Sequence, residues 1–153
     1  MTQSPSEEGG RSAYPRESFR LTFRFSKDRV DLVSQERLEM LTPPDLAGPP
    51  AAGENSGTWL ELRSSNDVRV AARVLHDPFQ TGADLHSPDG RIQHVEREVG
   101  EGQFQVLVPA MRDAAYVALV SSELGRAGLE SERGAAVEVA RFDLERRPRD
   151  DQR

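Results

Sequence analysis

The side chains with the most chemistry to offer are crowded into one short window. All three histidines, His76, His86 and His94, fall there, together with Asp77, Asp84 and Asp89. Within the window, Ser87-Pro88-Asp89-Gly90 is a turn sequence. Proline presets φ, aspartate favours the turn, and glycine takes the left-handed conformation that closes it. A turn at that point sets Ser87 opposite Arg91, His86 opposite Ile92 and Asp84 opposite His94 in an antiparallel hairpin. Asp84, His86 and His94 then share one face at cross-strand separations. Two imidazoles and a carboxylate suit zinc or iron(II), so the trio is a candidate metal site for a metal-binding protein or a small metal-dependent enzyme. The competing reading is a solvent-facing hairpin with an ordinary Asp–His contact. A register slip of one residue would scatter the trio.

Little else supports catalysis. The chain contains no nucleophile elbow, no glycine-rich phosphate loop and no HExxH. Glu96 with Glu98, and Asp150 with Asp151, read as solvated charge, and Ser121-Ser122 has no identifiable histidine partner. The absence of cysteine removes disulfides, thiolate metal sites and cysteine nucleophiles together, and points to a cytoplasmic location. Met1–Gly10 lacks the basic and apolar regions of a signal peptide, and no apolar run approaches a membrane span. A net charge of -6 disfavours nucleic acid as a partner, because phosphate contacts need a concentrated basic face. Lys27 is the only lysine among 20 basic residues, a bias that reads as GC-rich coding.

The elements that would position these groups are strands. A chain of 153 residues, 36% hydrophobic, is sized for one domain and one core. Residues 1–17 are rich in Ser, Gly, Glu and Pro without periodicity and read as a disordered arm; 145–153 form a charged tail. Between them, over 18–144, the dominant period is two. In Ser18–Ser26, Phe19, Leu21, Phe23 and Phe25 alternate with Arg20, Thr22 and Arg24. Arg29–Leu41 places Val30, Leu32, Leu38 and Met40 on one parity, interrupted at Ser34 and Glu36, which predicts a bulge or a break near the middle. A helix over 33–41 is the competitor. Thr58–Arg63 and Val68–Leu75 flank Ser64-Ser65-Asn66-Asp67 as a second hairpin, with Val68, Val70, Ala72 and Val74 as its expected buried face. His76-Asp77-Pro78-Phe79 ends that strand. Further strands are expected at Gln103–Val108, Ala115–Ser121 and Ala135–Leu144.

Trp59 early in one strand, then Phe104-x-Val106-x-Val108, a turn containing Asp113, and Tyr116 together resemble the landmarks of the immunoglobulin fold. The resemblance covers roughly 19–144 and implies an all-β, immunoglobulin-like antiparallel sandwich of about seven to nine strands. It further implies that Tyr116 pins a corner by a hydroxyl bond to the backbone. No cysteine pair joins the sheets, and Asp113 to Tyr116 is one residue shorter than the antibody-type spacing. The segments Trp59–Arg63 and Arg73–Pro78 also resemble small bacterial proteins, a likeness that carries no activity with it. In such a sandwich the loops 42–57 and 122–135 emerge at one end, and long loops on a rigid scaffold are where binding residues sit. The reading is therefore a non-catalytic module that binds a protein or peptide through Leu46, Asn55, Leu124, Arg126 and Leu129. The other readings are the metal site and a structural subunit of a larger assembly.

Overall fold

The computed structural model describes residues 15–27, 29–43, 50–80, 82–86, 88–96, 100–124 and 134–145; over 82–86 and 93–96 it describes the backbone alone. In chain order the strands are β1 (Ser18–Ser26), β2 (Arg29–Leu38), β3 (Thr58–Arg63), β4 (Arg69–Leu75), β5 (Gly82–His86), β6 (Ile92–Glu96), β7 (Glu101–Pro109), β8 (Tyr116–Ser121) and β9 (Val137–Asp143). Every pairing is antiparallel. The strands make a three-stranded sheet, β2-β1-β7, a four-stranded sheet, β4-β3-β8-β9, and the hairpin β5-β6. The described residues contain no helix, so none is long and apolar enough to cross a membrane.

Period-two patterning decides which faces meet. Phe19, Leu21, Phe23 and Phe25 of β1 lie in one cluster with Val106 and Val108 of β7, Leu60 and Leu62 of β3, and Val117 and Leu119 of β8. Both sheets thus bury one face in a shared core. Phe23 stacks on Phe104 at 5.1 Å within its own sheet and meets Phe142 edge-on at 5.5 Å across the gap. The far face of the three-stranded sheet is wet, with Arg20 opposite Glu36, Thr22 opposite Ser34 and Gln105, and Arg24 opposite Asp31 and Gln103.

The region 33–38 is strand and not helix, and the interrupted parity has the expected cause. Thr22 pairs with Ser34 but Phe23 with Leu32, so Val33 is extra and stands 44% exposed. The bulge moves Gln35, rather than Ser34 or Glu36, to the inner side of the sheet opposite Leu21. Its amide closes the seam between the two sheets, with Nε2 donating to the Asp143 carbonyl at 2.8 Å and Oε1 accepting from Glu145 N at 3.0 Å. Met40, expected inside, is exposed beyond the end of the strand.

A second bulge corrects the expected face of β4. Leu62 pairs with Ala71 but Arg63 with Arg69, so Val70 is extra and the parity reverses there. Val70, Ala71 and Leu75 pack on the shared core, Val74 belongs to a separate cluster, and Val68 is exposed outside the strand.

Among the described residues, Gly102 is the one glycine where close approach excludes a side chain. A Cβ there would lie 2.7 Å from Cζ of Phe25, its cross-strand partner. The ring has little freedom to yield, being buried and held edge-on by Phe79 at 5.3 Å. Gly102→Val is therefore expected to cost about 1–3 kcal/mol despite valine's preference for strands. A urea titration checks it: the midpoint should fall at constant slope, and an unchanged midpoint would show that the ring moves freely.

Candidate functional site

Strands β3 and β8 are buried on both faces, which a two-sheet core does not explain by itself. The second cover is the segment after β2. Its Pro50 carbonyl accepts a hydrogen bond from Arg69 Nη1 at 2.6 Å. Gly53 N then donates to the Ala136 carbonyl at 2.9 Å, and Ala136 N to the Asn55 carbonyl at 2.8 Å. Residues 50–57 thus form a strap along the outer side of the four-stranded sheet. Beneath it Trp59, Val120 and Ala136 are buried with Val74 packed against them.

This strap also joins the two long loops. Besides the pairing of Gly53 and Asn55 with Ala136, Ser122 N donates to the Gly57 carbonyl at 2.9 Å and Gly57 N donates to Ser122 Oγ at 2.8 Å. Thr58 and Ser121, paired at the adjoining strand ends, share a hydroxyl contact of 2.8 Å, and Thr58 Oγ1 also donates to Glu123 Oε2 at 2.7 Å. The described parts of 42–57 and 122–135 therefore meet at one end. Of the five expected contact residues, Asn55 is exposed, with its Oδ1 accepting from Ala51 N at 2.9 Å within the strap. Leu124 is only 3% exposed and belongs to the shared core, so its side chain does not form part of the surface. Leu46, Arg126 and Leu129 lie outside the described residues.

On the same outer face sits a charged network that reading the strands one by one did not single out. Register places Arg63 opposite both Arg69 and Tyr116. Two guanidinium groups facing each other across strands are unfavourable without an anion. Glu61 supplies it: Oε2 accepts from Arg63 Nη2 at 2.5 Å and Oε1 from Arg69 Nη1 at 2.9 Å. Arg63 Nη1 also donates to Asp67 Oδ1 at 3.1 Å and Glu138 Oε1 at 2.8 Å. Glu61 is 5% exposed. Burial by itself would raise its pKa, but the hydrogen bonds from Arg63 and Arg69 and the Arg63 charge outweigh that and hold it below the ordinary glutamate range. The Trp59 indole N–H acts in the same direction without a formed hydrogen bond. Burial would lower the Arg63 pKa, and the hydrogen bond to Glu61 reverses this, leaving it raised.

Neither landmark residue sits as the immunoglobulin resemblance implies. Trp59 is buried, but under the strap and not between the sheets. The Tyr116 hydroxyl donates to the Asp67 carboxylate, a side chain, and not to backbone, and its ring lies under the Arg141 guanidinium at 4.9 Å. Asp67 is held for this contact in the left-handed region, φ 64°, at the end of the β3–β4 turn.

Within β5–β6 the register is the expected one: Asp84 pairs with His94 and His86 with Ile92. The side chains of Asp84, His86 and His94 lie outside the described residues. Among those described, no group of three or more His, Asp or Glu is arranged to hold a metal ion. No protein-family model, curated protein or solved structure matches this chain.

Proposed function

We propose that this chain is a non-catalytic, immunoglobulin-like interaction module that binds a protein or peptide partner through loops 42–57 and 122–135. The observation that carries the reading is the convergence of the two loops, joined where Ser122 N donates to the Gly57 carbonyl and flanked by the bonds of Gly53 and Asn55 to Ala136, just past the second loop. Loop ends joined on a rigid sheet bring two long segments to one place, and such loops are where binding residues usually sit. Leu124 serves the base of this arrangement, and Leu46, Asn55, Arg126 and Leu129 are its contact residues.

The immunoglobulin-like assignment draws support from the sheet order β4-β3-β8-β9, which follows the C′-C-F-G order of a variable-type sandwich. The other sheet is its own variant, because the first strand and not the second lies in the middle. The wet outer face of β2-β1-β7 is the natural comparison surface for a test. Purification of the tagged chain from its native cell should enrich the same partner for the wild type and for a Thr22→Ala, Gln105→Ala variant of that face. The partner should be depleted several-fold by Leu46→Ala, Arg126→Ala, Leu129→Ala. Equal enrichment by all three would reject the loop surface.

A further inference from the structure

We infer that the open edge of β7 is a self-association surface, on which a second copy of this chain pairs its own β7 antiparallel about a two-fold axis through Gln105. The inference is independent of the loop reading, since it rests on the other sheet.

Among the described strands, the two sheets end in four edges, β2, β7, β4 and β9. Three of them are guarded. Val33 of β2, Val70 of β4 and Val139 of β9 are each an extra residue against the neighbouring strand. Those strands also carry charge within their length, such as Asp31 and Glu36 on β2, Arg73 on β4 and Arg141 on β9. Bulges and charges are the devices that keep an edge from pairing with another chain. Strand β7 has neither. Its nine residues keep one unbroken register with β1, and its only charge is Glu101, at the first position.

Two bonds just beyond the β1–β7 ladder fix which way its backbone groups point. Lys27 N donates to the Gly100 carbonyl at 2.9 Å, and Ala110 N donates to the Glu17 carbonyl at 3.0 Å. Hydrogen-bonded positions alternate along an antiparallel pair. Gly102, Phe104, Val106 and Val108 therefore turn their N–H and C=O groups toward β1, and Gln103, Gln105 and Leu107 turn theirs to the open side. Among the described residues, no other strand pairs with β7 on that side. Gln103 and Gln105 are exposed and Leu107 is half-buried, so a second strand can reach this backbone.

The edge is its own complement. With Gln105 opposite the second copy's Gln105, Gln103 meets Leu107 and Leu107 meets Gln103, and each of the three exchanges both backbone bonds. The two Glu101 side chains fall at opposite ends of the ladder, so no charge faces a like charge. Phe104, half-buried at the margin of the core, stands beside the second copy's Val106 at the closer, non-hydrogen-bonded spacing. That is an aromatic and β-branched pair of the stabilising kind. The joined sheet runs β2-β1-β7 and then β7-β1-β2, leaving only the bulged β2 strands at its ends. A two-fold contact of this kind closes, and association stops at two chains.

Sedimentation equilibrium of the full chain tests this by its mass across a concentration series. The expected species is two chains of 17.0 kDa each, formed with a Kd below about 100 μM. Gln105→Lys and Gln105→Glu should each weaken association several-fold, because each sets like charges opposite one another across the axis. Mixed in equal amounts, the two variants should associate at least as tightly as the wild type, a recovery that a folding defect would not give. Gln105→Pro removes a donor that β1 does not use, and should stay a single chain with Trp59 fluorescence unchanged. Val33→Lys, on the bulged β2 edge, should associate as the wild type does. A single chain at every concentration, which would leave the edge to a foreign strand, would overturn the assignment. So would failure of the mixed charge variants to recover, or a two-chain species that persists in Gln105→Pro.

Discussion

Phe79→Ala is expected to lower the unfolding free energy by about 3–5 kcal/mol, a large share of the stability of a domain this size. Phe79 belongs to the segment that leaves β4, yet it is 2% exposed and joins the shared core. Its ring meets Phe25 edge-on at 5.3 Å and Phe104 at 5.7 Å, closing the end of the aromatic cluster that begins with Phe23. The backbone is bent to deliver it: Asp77 and Gln80 both take positive φ, 45° and 54°, and Gln80 N donates to the Asp77 carbonyl at 3.1 Å. Truncation removes the ring's transfer energy and leaves a cavity beside rings too rigid to refill it. Urea denaturation followed by circular dichroism measures the loss. A loss under about 1 kcal/mol would mean the ring is not part of the cooperative core.

Glu61→Ala carries the second large expected effect, about 3 kcal/mol of destabilisation. Removing one partner of a buried ion pair leaves the others charged and under-solvated. Arg63 retains Asp67 and Glu138, which keeps the loss from being larger. Arg69 loses the carboxylate that orients it toward the Pro50 carbonyl, so the strap should loosen together with the sheet. Amide exchange at Gly53 and Ala136, whose N–H groups bond across the strap, should therefore accelerate more than exchange in β1. The pH dependence follows in sign. The folded pKa of Glu61 lies below the ordinary carboxylate value of 4.5. Its stabilising contribution is thus fully present above that value and is lost as pH falls through the lower, folded pKa. The difference in stability between wild type and Glu61→Gln should hold steady near neutrality and shrink only in acid below about pH 4.5. A difference that shrank already between pH 8 and pH 6, roughly, would place the effect elsewhere.

Local pattern carried much of this architecture into view before any coordinates. The alternation of Phe19, Leu21, Phe23 and Phe25 gave β1 its faces, and the polar interruption after Leu32 gave the bulge. Pro88-Asp89-Gly90 gave the β5–β6 register, with Gly90 at φ 84° in the left-handed region that the turn requires. What escaped is what depends on distant chain. Glu61, between Leu60 and Leu62, has the signature of a wet outward position, and only the strap arriving from 50–57 makes it a buried one. The same strap puts Trp59 outside the two-sheet core, where the alternation of its own strand leaves the destination of that face undecided. The bulge at Val70 sets Arg69 opposite Arg63, beside Glu61, and strand periodicity does not encode it. Leu124 reads as loop by its neighbours, yet it is consumed by the core. The one cue for the network was the run Glu61-x-Arg63 with Asp67 and Arg69 close behind, charges of both signs too dense for an ordinary wet strand.

The central claim, that the joined loops are the working surface, is tested most directly by side-by-side affinity purification from the native cell. The wild-type chain, the variant of the β2-β1-β7 face and the Leu46→Ala, Arg126→Ala, Leu129→Ala variant would be compared at matched levels of folded protein. The account predicts one partner recovered equally with the first two and depleted several-fold with the third. Full recovery of that partner by the loop variant, or its loss only when the opposite sheet face is altered, would contradict it.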